Sequence, residues 1–161
     1  MKKLLIVRHA KSDWSLNLDD FERTLTARGI NDAKLVSEMS RDLIPTNVSI
    51  YSSSAVRARE TCIIFAKTYN FPLEKIVLNN ALYTFGESKL EAEIRNLPDS
   101  QNTVMIFGHN EGITDFVNSF GNIAIDNVPT SGFVALEFTS DSWSTITKGK
   151  TTKTIFPREL R

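Results

Sequence analysis

Short apolar runs alternate along the chain with segments in which apolar residues recur every three or four positions. The first run, Leu4 to Val7, predicts a short strand that is buried on both faces. Similar runs predict further strands at 48–51, 75–78, 103–107 and 133–138. Two weaker segments, 143–146 and 151–155, are expected to complete the sheet.

The segments between these runs have the apolar spacing of amphipathic helices. The first helix begins at Thr26, a residue that can cap it, and ends before Pro45. Its apolar face is expected to comprise Ile30, Ala33, Val36, Met39 and Leu43. Further helices are expected near 58–69, 90–97 and 113–120. Because strands alternate with helices, we expect an α/β fold with a mostly parallel sheet that is covered on both faces.

Length and charge narrow the function classes. The 161 residues fit a single domain that spans residues 1–161. Lys and Arg number 19, Asp and Glu also number 19, and the formal net charge is zero. That balance gives no electrostatic reason to expect a nucleic acid or an anionic membrane as partner. No apolar run is long enough to cross a membrane, and we expect a cytoplasmic protein. We also expect a monomer.

Cysteine and histidine are scarce in the chain. A single cysteine, Cys62, excludes an intrachain disulfide, and the two histidines are His9 and His109. So small a set argues against a zinc site built from His and Cys. No glycine-rich nucleotide-binding loop follows any predicted strand. We therefore expect neither a metal nor a cofactor.

Three of the predicted strands lead into unusual polar residues. The first ends at Arg8 and His9, the second runs through serines to Arg57, and the fourth ends at Gly108 and His109. The carboxyl ends of parallel strands meet at one edge of a sheet, so these side chains are expected to converge. Two arginines and two histidines at one place would form a cationic pocket suited to a phosphate dianion.

The roles follow from the chemistry of the side chains. His9 would attack phosphorus through one ring nitrogen while the other donates to an acceptor such as a backbone carbonyl. Arg8 and Arg57 would hold the phosphoryl oxygens, and His109 would donate a further hydrogen bond. Three alternatives stay open: Arg57 as a solvated cation at a helix start, His109 as a loop residue bonded to backbone, and Lys11 either beside the pocket or in solvent.

Several motifs together resemble the histidine phosphatase (phosphoglycerate mutase-like) superfamily. They are Arg8-His9 after a first strand, the segment 53–61 that contains Arg57, and Gly108-His109-Asn110. Segments 8–12, 20–23, 81–83 and 129–132 resemble its short SixA-type phosphohistidine phosphatase branch. The resemblance runs from about Lys3 to Leu160. It implies a three-layer α/β/α sandwich and metal-independent chemistry through a phosphohistidine on His9, with phosphate contacts from Arg8, Arg57 and His109.

One departure from the superfamily pattern bears on the substrate. Larger members carry an acidic proton donor in the loop after the second helix, and no carboxylate in 82–87 matches it clearly. Glu87, Asp13 and Glu111 are the candidates, and none is assigned. Without such an acid, substrates with good leaving groups are favoured over alkyl phosphates.

We therefore expect a phosphatase that removes phosphate from protein phosphohistidine. Its partner would be a phosphorylated protein, for example a phosphohistidine-bearing signalling domain. Two other functions remain as alternatives. One is a small-molecule phosphomonoesterase that acts on a phosphorylated metabolite, and the other is a non-catalytic module that binds phosphohistidine.

Overall fold

A six-stranded sheet forms the centre of the protein in a computed structural model, which describes residues 1–161. In chain order the strands are β1 (Lys2–Arg8), β2 (Ser49–Ser53), β3 (Val77–Asn79), β4 (Thr103–Gly108), β5 (Phe133–Phe138) and β6 (Lys150–Ile155). Across the sheet they lie in the order β3-β2-β4-β1-β5-β6. The first four of these run parallel, and β5 and β6 pair antiparallel at one edge. The mostly parallel sheet is thus confirmed.

Helices cover both faces of this sheet. They are α1 (Ala27–Ser40), α2 (Val56–Thr68), α3 (Glu87–Arg95) and α4 (Gly112–Phe120). Successive residues of β1 point to opposite faces, so Leu4 and Ile6 pack in a core with α3 and α4. Leu5 and Val7 pack in a second core with α1 and α2. The sheet thus has one core on each face, each covered by two helices, and the three layers form the expected α/β/α sandwich.

The start of α1 was predicted correctly, but its buried face was not. Thr26 caps the helix and its side chain accepts a hydrogen bond from the Gly29 backbone N–H at 2.9 Å. Ala33 and Val36 are buried, whereas the other three residues of the predicted face are exposed: Ile30, Met39 and Leu43.

Small and polar residues explain the rotation of α1. Ser37 bonds Thr68 at 2.8 Å and Ser40 bonds Tyr69 at 2.5 Å, so hydroxyl pairs join α1 to α2. Gly29 lies against the Lys11 carbonyl, where an added Cβ would be only 2.3 Å away. Hydroxyl pairs and close backbone contact carry no hydrophobic signal, and periodicity therefore misplaced the face.

The strand expected at 143–146 is also wrong. Residues Trp143–Thr145 form a 3-10 turn instead. The Trp143 indole is buried and donates to the Gln101 carbonyl at 2.7 Å, and its backbone N–H donates to Asp99 at 3.0 Å. These contacts satisfy the polar groups of the turn, so the segment needs no neighbouring strand.

Strand direction places the predicted site. β1, β2 and β4 are neighbours and parallel, so their carboxyl ends lie at the same edge. The register pairs Arg8 with Gly108, which brings the two residues that follow, His9 and His109, side by side. None of the four helices is long and apolar enough to cross a membrane.

Candidate active site

The two histidines form the centre of the site. His9 leaves β1 with its backbone N–H donating to the Gly108 carbonyl at 3.0 Å. His109 follows that glycine, and the two imidazole ring centroids are 5.3 Å apart. His9 is 8% exposed and His109 is 2% exposed. The sheet register therefore brings together two residues that are far apart in sequence, as predicted.

The orientation of His9 is fixed by a backbone carbonyl, the type of acceptor that the sequence analysis expected. Its Nδ1 lies 2.7 Å from the Ala10 carbonyl oxygen. A carbonyl can only accept, so Nδ1 carries the proton and Nε2 keeps its lone pair. Ala10 is held in turn because its N–H donates to Thr61, whose hydroxyl donates to the Arg57 carbonyl. The tautomer and the orientation of the His9 ring are thus fixed before any ligand binds, with the lone pair on Nε2.

The surroundings keep His9 uncharged. Burial, followed by the charges of Arg57 and Arg8, lowers the pKa of His9 to about 3, while the hydrogen bond to Ala10 opposes the shift. At neutral pH the imidazole is therefore neutral. A nucleophile needs this state, because a protonated imidazole has no lone pair.

His109 is held by a residue to which the sequence analysis gave no role. Its Nε2 lies 2.8 Å from the Ser53 hydroxyl oxygen, which accepts from the Ala55 N–H at 3.2 Å. The hydroxyl hydrogen of Ser53 is then free to donate to Nε2. Burial lowers the pKa of His109 to about 3, so the ring is neutral. With Ser53 donating to Nε2, the proton of the neutral ring lies on Nδ1. That nitrogen is buried and has no protein partner, which leaves a donor for a ligand.

Arg57 lies in the first turn of α2 and is only 2% exposed. Its Nη1 donates to the Asp20 carbonyl at 2.5 Å and its Nη2 to the Asp20 carboxylate at 3.0 Å. Its Nε is buried without a partner. This burial excludes the solvated-cation alternative for Arg57, whereas Arg59 is exposed.

Asp20 is the residue that sequence reasoning missed. Its carboxylate also accepts from Arg23 at 2.8 Å and from the Tyr83 hydroxyl. Desolvation favours the neutral form, but these bonds and Arg57 outweigh it and hold the pKa of Asp20 well below its usual range. The carboxylate is therefore a fixed anion. Its available signal was the segment 20–23, which carried part of the family resemblance.

Arg8 completes the cationic groups. Its Nη1 donates to the Val128 carbonyl at 2.9 Å, and its Nε is buried without a partner. Burial lowers the pKa of Arg8, and the charge of Glu111 opposes that shift. The segment from Val128 to Ser131 packs against the end of β1, because the Ser131 N–H donates to the carbonyls of Arg8 and His9 at 3.0 and 3.2 Å.

None of the three proposed acids forms a hydrogen bond with either histidine, whose side chains bond Ala10 and Ser53. Asp13 accepts two hydrogen bonds from its neighbour Ser15, at 2.8 and 2.6 Å. Glu87 begins α3, and Glu111 is exposed just before α4. The carboxylate whose charge acts on His109 is that of Asp20.

The remaining polar residues add little to this site. Lys11 is exposed to solvent. Groups of three or more His, Cys, Asp or Glu side chains that could hold a metal ion do not occur in the fold.

Comparisons with known proteins agree with this fold. The model of the histidine phosphatase superfamily (branch 1) matches residues 4–82. The protein histidine phosphatase SixA, solved with tungstate, superposes with a TM-score of 0.79 at 17% identity over 99% of both chains. Residues 4–82 are thus similar in sequence to the histidine phosphatase superfamily. The chain shares the fold of SixA along nearly its whole length.

Two further proteins show how wide this group is. A mycobacterial glucosyl-3-phosphoglycerate phosphatase superposes with a TM-score of 0.68 at 12% identity, over 97% of this chain and 98% of the other. An uncharacterised chloroplastic protein of Arabidopsis thaliana is 27% identical over 152 residues, which are 88% of this chain and 69% of the relative. The fold thus occurs in a protein named for a small-molecule substrate as well as in SixA.

Proposed function

We propose that the protein is a phosphatase that transfers a phosphoryl group to His9 and acts on protein phosphohistidine. The observation that carries the proposal is that three buried nitrogens at this edge of the sheet have no hydrogen-bond partner in the protein. Arg8 Nε, Arg57 Nε and His109 Nδ1 have no protein partner. Buried donors are normally paired, and a phosphoryl group would supply the acceptors.

The first step is attack by the lone pair of His9 Nε2 on phosphorus. A bond forms between Nε2 and phosphorus while the bond from phosphorus to the leaving nitrogen breaks. The ring nitrogen of the substrate that does not carry phosphorus takes a proton from solvent, so the imidazole that leaves with the electron pair is neutral. Arg8, Arg57 and His109 donate to the phosphoryl oxygens, where charge develops in the transition state.

The second step regenerates the enzyme. A water molecule attacks phosphorus, and the bond to Nε2 breaks with its electron pair returning to His9. The proton lost by the water passes to solvent, and inorganic phosphate leaves. Dividing hydrolysis into two transfers is covalent catalysis.

No acid is hydrogen-bonded to His9, whose side chain bonds the Ala10 carbonyl, and this supports the choice of substrate. An alkyl phosphate expels an alkoxide, whose conjugate acid has a pKa of about 15.7, like water, and this departure needs a general acid. Phosphohistidine expels an imidazole, whose conjugate acid has a pKa of about 6.5. Asp20 is the carboxylate of the site, and it is held ionised by three donors. Phosphohistidine therefore suits these residues better than phosphoserine.

A second function has its own support. The superposition with glucosyl-3-phosphoglycerate phosphatase favours a small-molecule phosphomonoesterase as the alternative. The non-catalytic binding module is less favoured, because the four residues Arg8, His9, Arg57 and His109 are all present at one edge of the sheet.

The deciding experiment traps the intermediate. Wild type, His9→Ala and His109→Ala are mixed with a ³²P-labelled phosphohistidine protein. The reactions are quenched without acid, because acid would cleave phosphohistidine. Wild type and His109→Ala should retain label, and His9→Ala should retain none, since both variants remove a buried imidazole but only one removes the nucleophile. Label on His9→Ala would contradict the assignment. Faster hydrolysis of phosphoserine or a sugar phosphate than of phosphohistidine would favour the alternative function.

A further inference from the structure

Two aromatic rings stand against His109 on the side of the loop that precedes α3. The ring centroids of Tyr83 and Phe85 are each 5.4 Å from the His109 ring, and they are 5.3 Å from each other. All three pairs meet edge to face. Phe85 is 50% exposed, although large apolar side chains are normally buried. Part of the Phe85 ring is therefore available to a ligand beside His109.

The loop that carries these rings is held in place. The Gly112 N–H donates to the Phe85 carbonyl at 2.9 Å. An added Cβ at Gly112 would lie 2.8 Å from the Gly86 carbonyl oxygen, so the loop packs closely on the start of α4. Tyr83 is fixed at its other end by its hydrogen bond to Asp20. The exposed ring is thus positioned before substrate binds.

We propose that Phe85, supported by Tyr83, contacts the ring of the leaving group and makes the enzyme selective for phosphoryl donors with flat aromatic leaving groups. The inference rests on the proposed function and narrows its substrate class. His109 donates to the phosphoryl group, so a ring in contact with His109 lies within reach of the group bonded to phosphorus.

The expected size of the effect follows from aromatic pairing. Two rings with centroids 4.5–7 Å apart gain an attraction that corresponds to roughly 2- to 12-fold in an equilibrium or rate constant. An imidazole or phenol leaving group would gain this contact, and ammonia or an alkyl group would not. The contact is separate from leaving-group basicity, which acts on the breaking bond.

The test compares two substrates that both contain a phosphorus–nitrogen bond. N-phosphoryl imidazole carries a ring, and phosphoramidate, which releases ammonia, carries none. Phe85→Leu should lower kcat/KM for N-phosphoryl imidazole by roughly 2- to 12-fold and leave that for phosphoramidate unchanged. Phe85→Tyr keeps a ring and should retain the wild-type ratio. Phe71→Leu is the matched control, because it removes a ring beyond the far end of α2.

Each other result has a definite meaning. An equal fall for both substrates would show that Phe85 only supports His109, and unchanged rates would show that no contact forms; either result overturns the inference. If Phe85→Tyr loses selectivity like Phe85→Leu, the ring is not the cause and the inference also fails. If wild type hydrolyses neither substrate, the proposed function fails and the inference with it.

Discussion

Each side chain of the site uses some of its nitrogens for hydrogen bonds within the protein and has another nitrogen without a protein partner. His9 uses Nδ1 to bond Ala10, and His109 uses Nε2 to bond Ser53. Arg57 is held by Asp20 through both terminal nitrogens, yet its Nε has no partner. A purely structural network would pair every buried group. The unpaired atoms Arg8 Nε, Arg57 Nε and His109 Nδ1 are the ones that the proposed function assigns to the phosphoryl group.

The two arginines of α2 give a test at the scale of single residues. Arg57→Ala is expected to reduce kcat/KM for phosphohistidine by about 10²–10³-fold, since it removes a donor to the transition state. Arg59→Ala should leave kcat/KM unchanged, because Arg59 is exposed on the same helix. Steady-state kinetics of both variants check this. Similar losses in the two variants would show that Arg57 has no special role at the phosphoryl group.

Elements position the site through their ends rather than through their middles. The candidate active site is formed where β1, β2 and β4 end and where α2 and α4 begin. The loop from Tyr83 to Gly86 is a wall that comes from a connection without regular structure, and backbone contact with α4 holds it. Its close fit at Gly112 makes the position of this wall sensitive to one methyl group.

Two glycines at this contact form a matched pair for a test at the scale of elements. Gly112→Ala is expected to lower the free energy of unfolding by about 1–3 kcal/mol, because its Cβ would overlap the Gly86 backbone. Gly86→Ala is the control, since an added Cβ there meets nothing within 4 Å. Urea unfolding measures both variants. Equal stability of the two would mean that the loop does not pack on α4 as described.

At the scale of the whole molecule, burying two neutral histidines links folding to pH. The pKa of each histidine is lowered to about 3 in the folded protein and is about 6.5 in the unfolded chain. Between these values the unfolded chain binds more protons, so acid favours unfolding. Stability is full above about pH 6.5 and is lost progressively as the pH falls toward 3.

This linkage gives a quantitative expectation. Lowering the pH from 7 to 5 should reduce the free energy of unfolding by about 2 kcal/mol for each buried histidine. His109→Gln should show about half of the loss seen in wild type. Urea unfolding in buffers without phosphate, which would bind the site, measures both proteins. A wild-type stability that is the same at pH 7 and pH 5 would contradict the burial of neutral histidines.

The sequence by itself predicted the six strands of the sheet, with one false strand at 143–146, the four helices and the convergence of Arg8, His9, Arg57 and His109. It did so because alternating strands and helices imply a parallel sheet, and the carboxyl ends of parallel strands share an edge. Burial patterns with periods of two and of about 3.6 residues are local, and they are therefore visible in the chain.

Only the tertiary structure decided which polar groups pair across the fold. The bond from Asp20 to Arg57 joins residues 37 positions apart, and the contact of Phe85 with His109 joins two loops. The face that α1 buries depends on hydroxyl pairs with the end of α2. These contacts join side chains that are close in space but far apart in sequence. Hydrophobic periodicity does not indicate such pairs. For that reason the sequence predicted the four strand-end groups, and the structure added the residues that hold them in place.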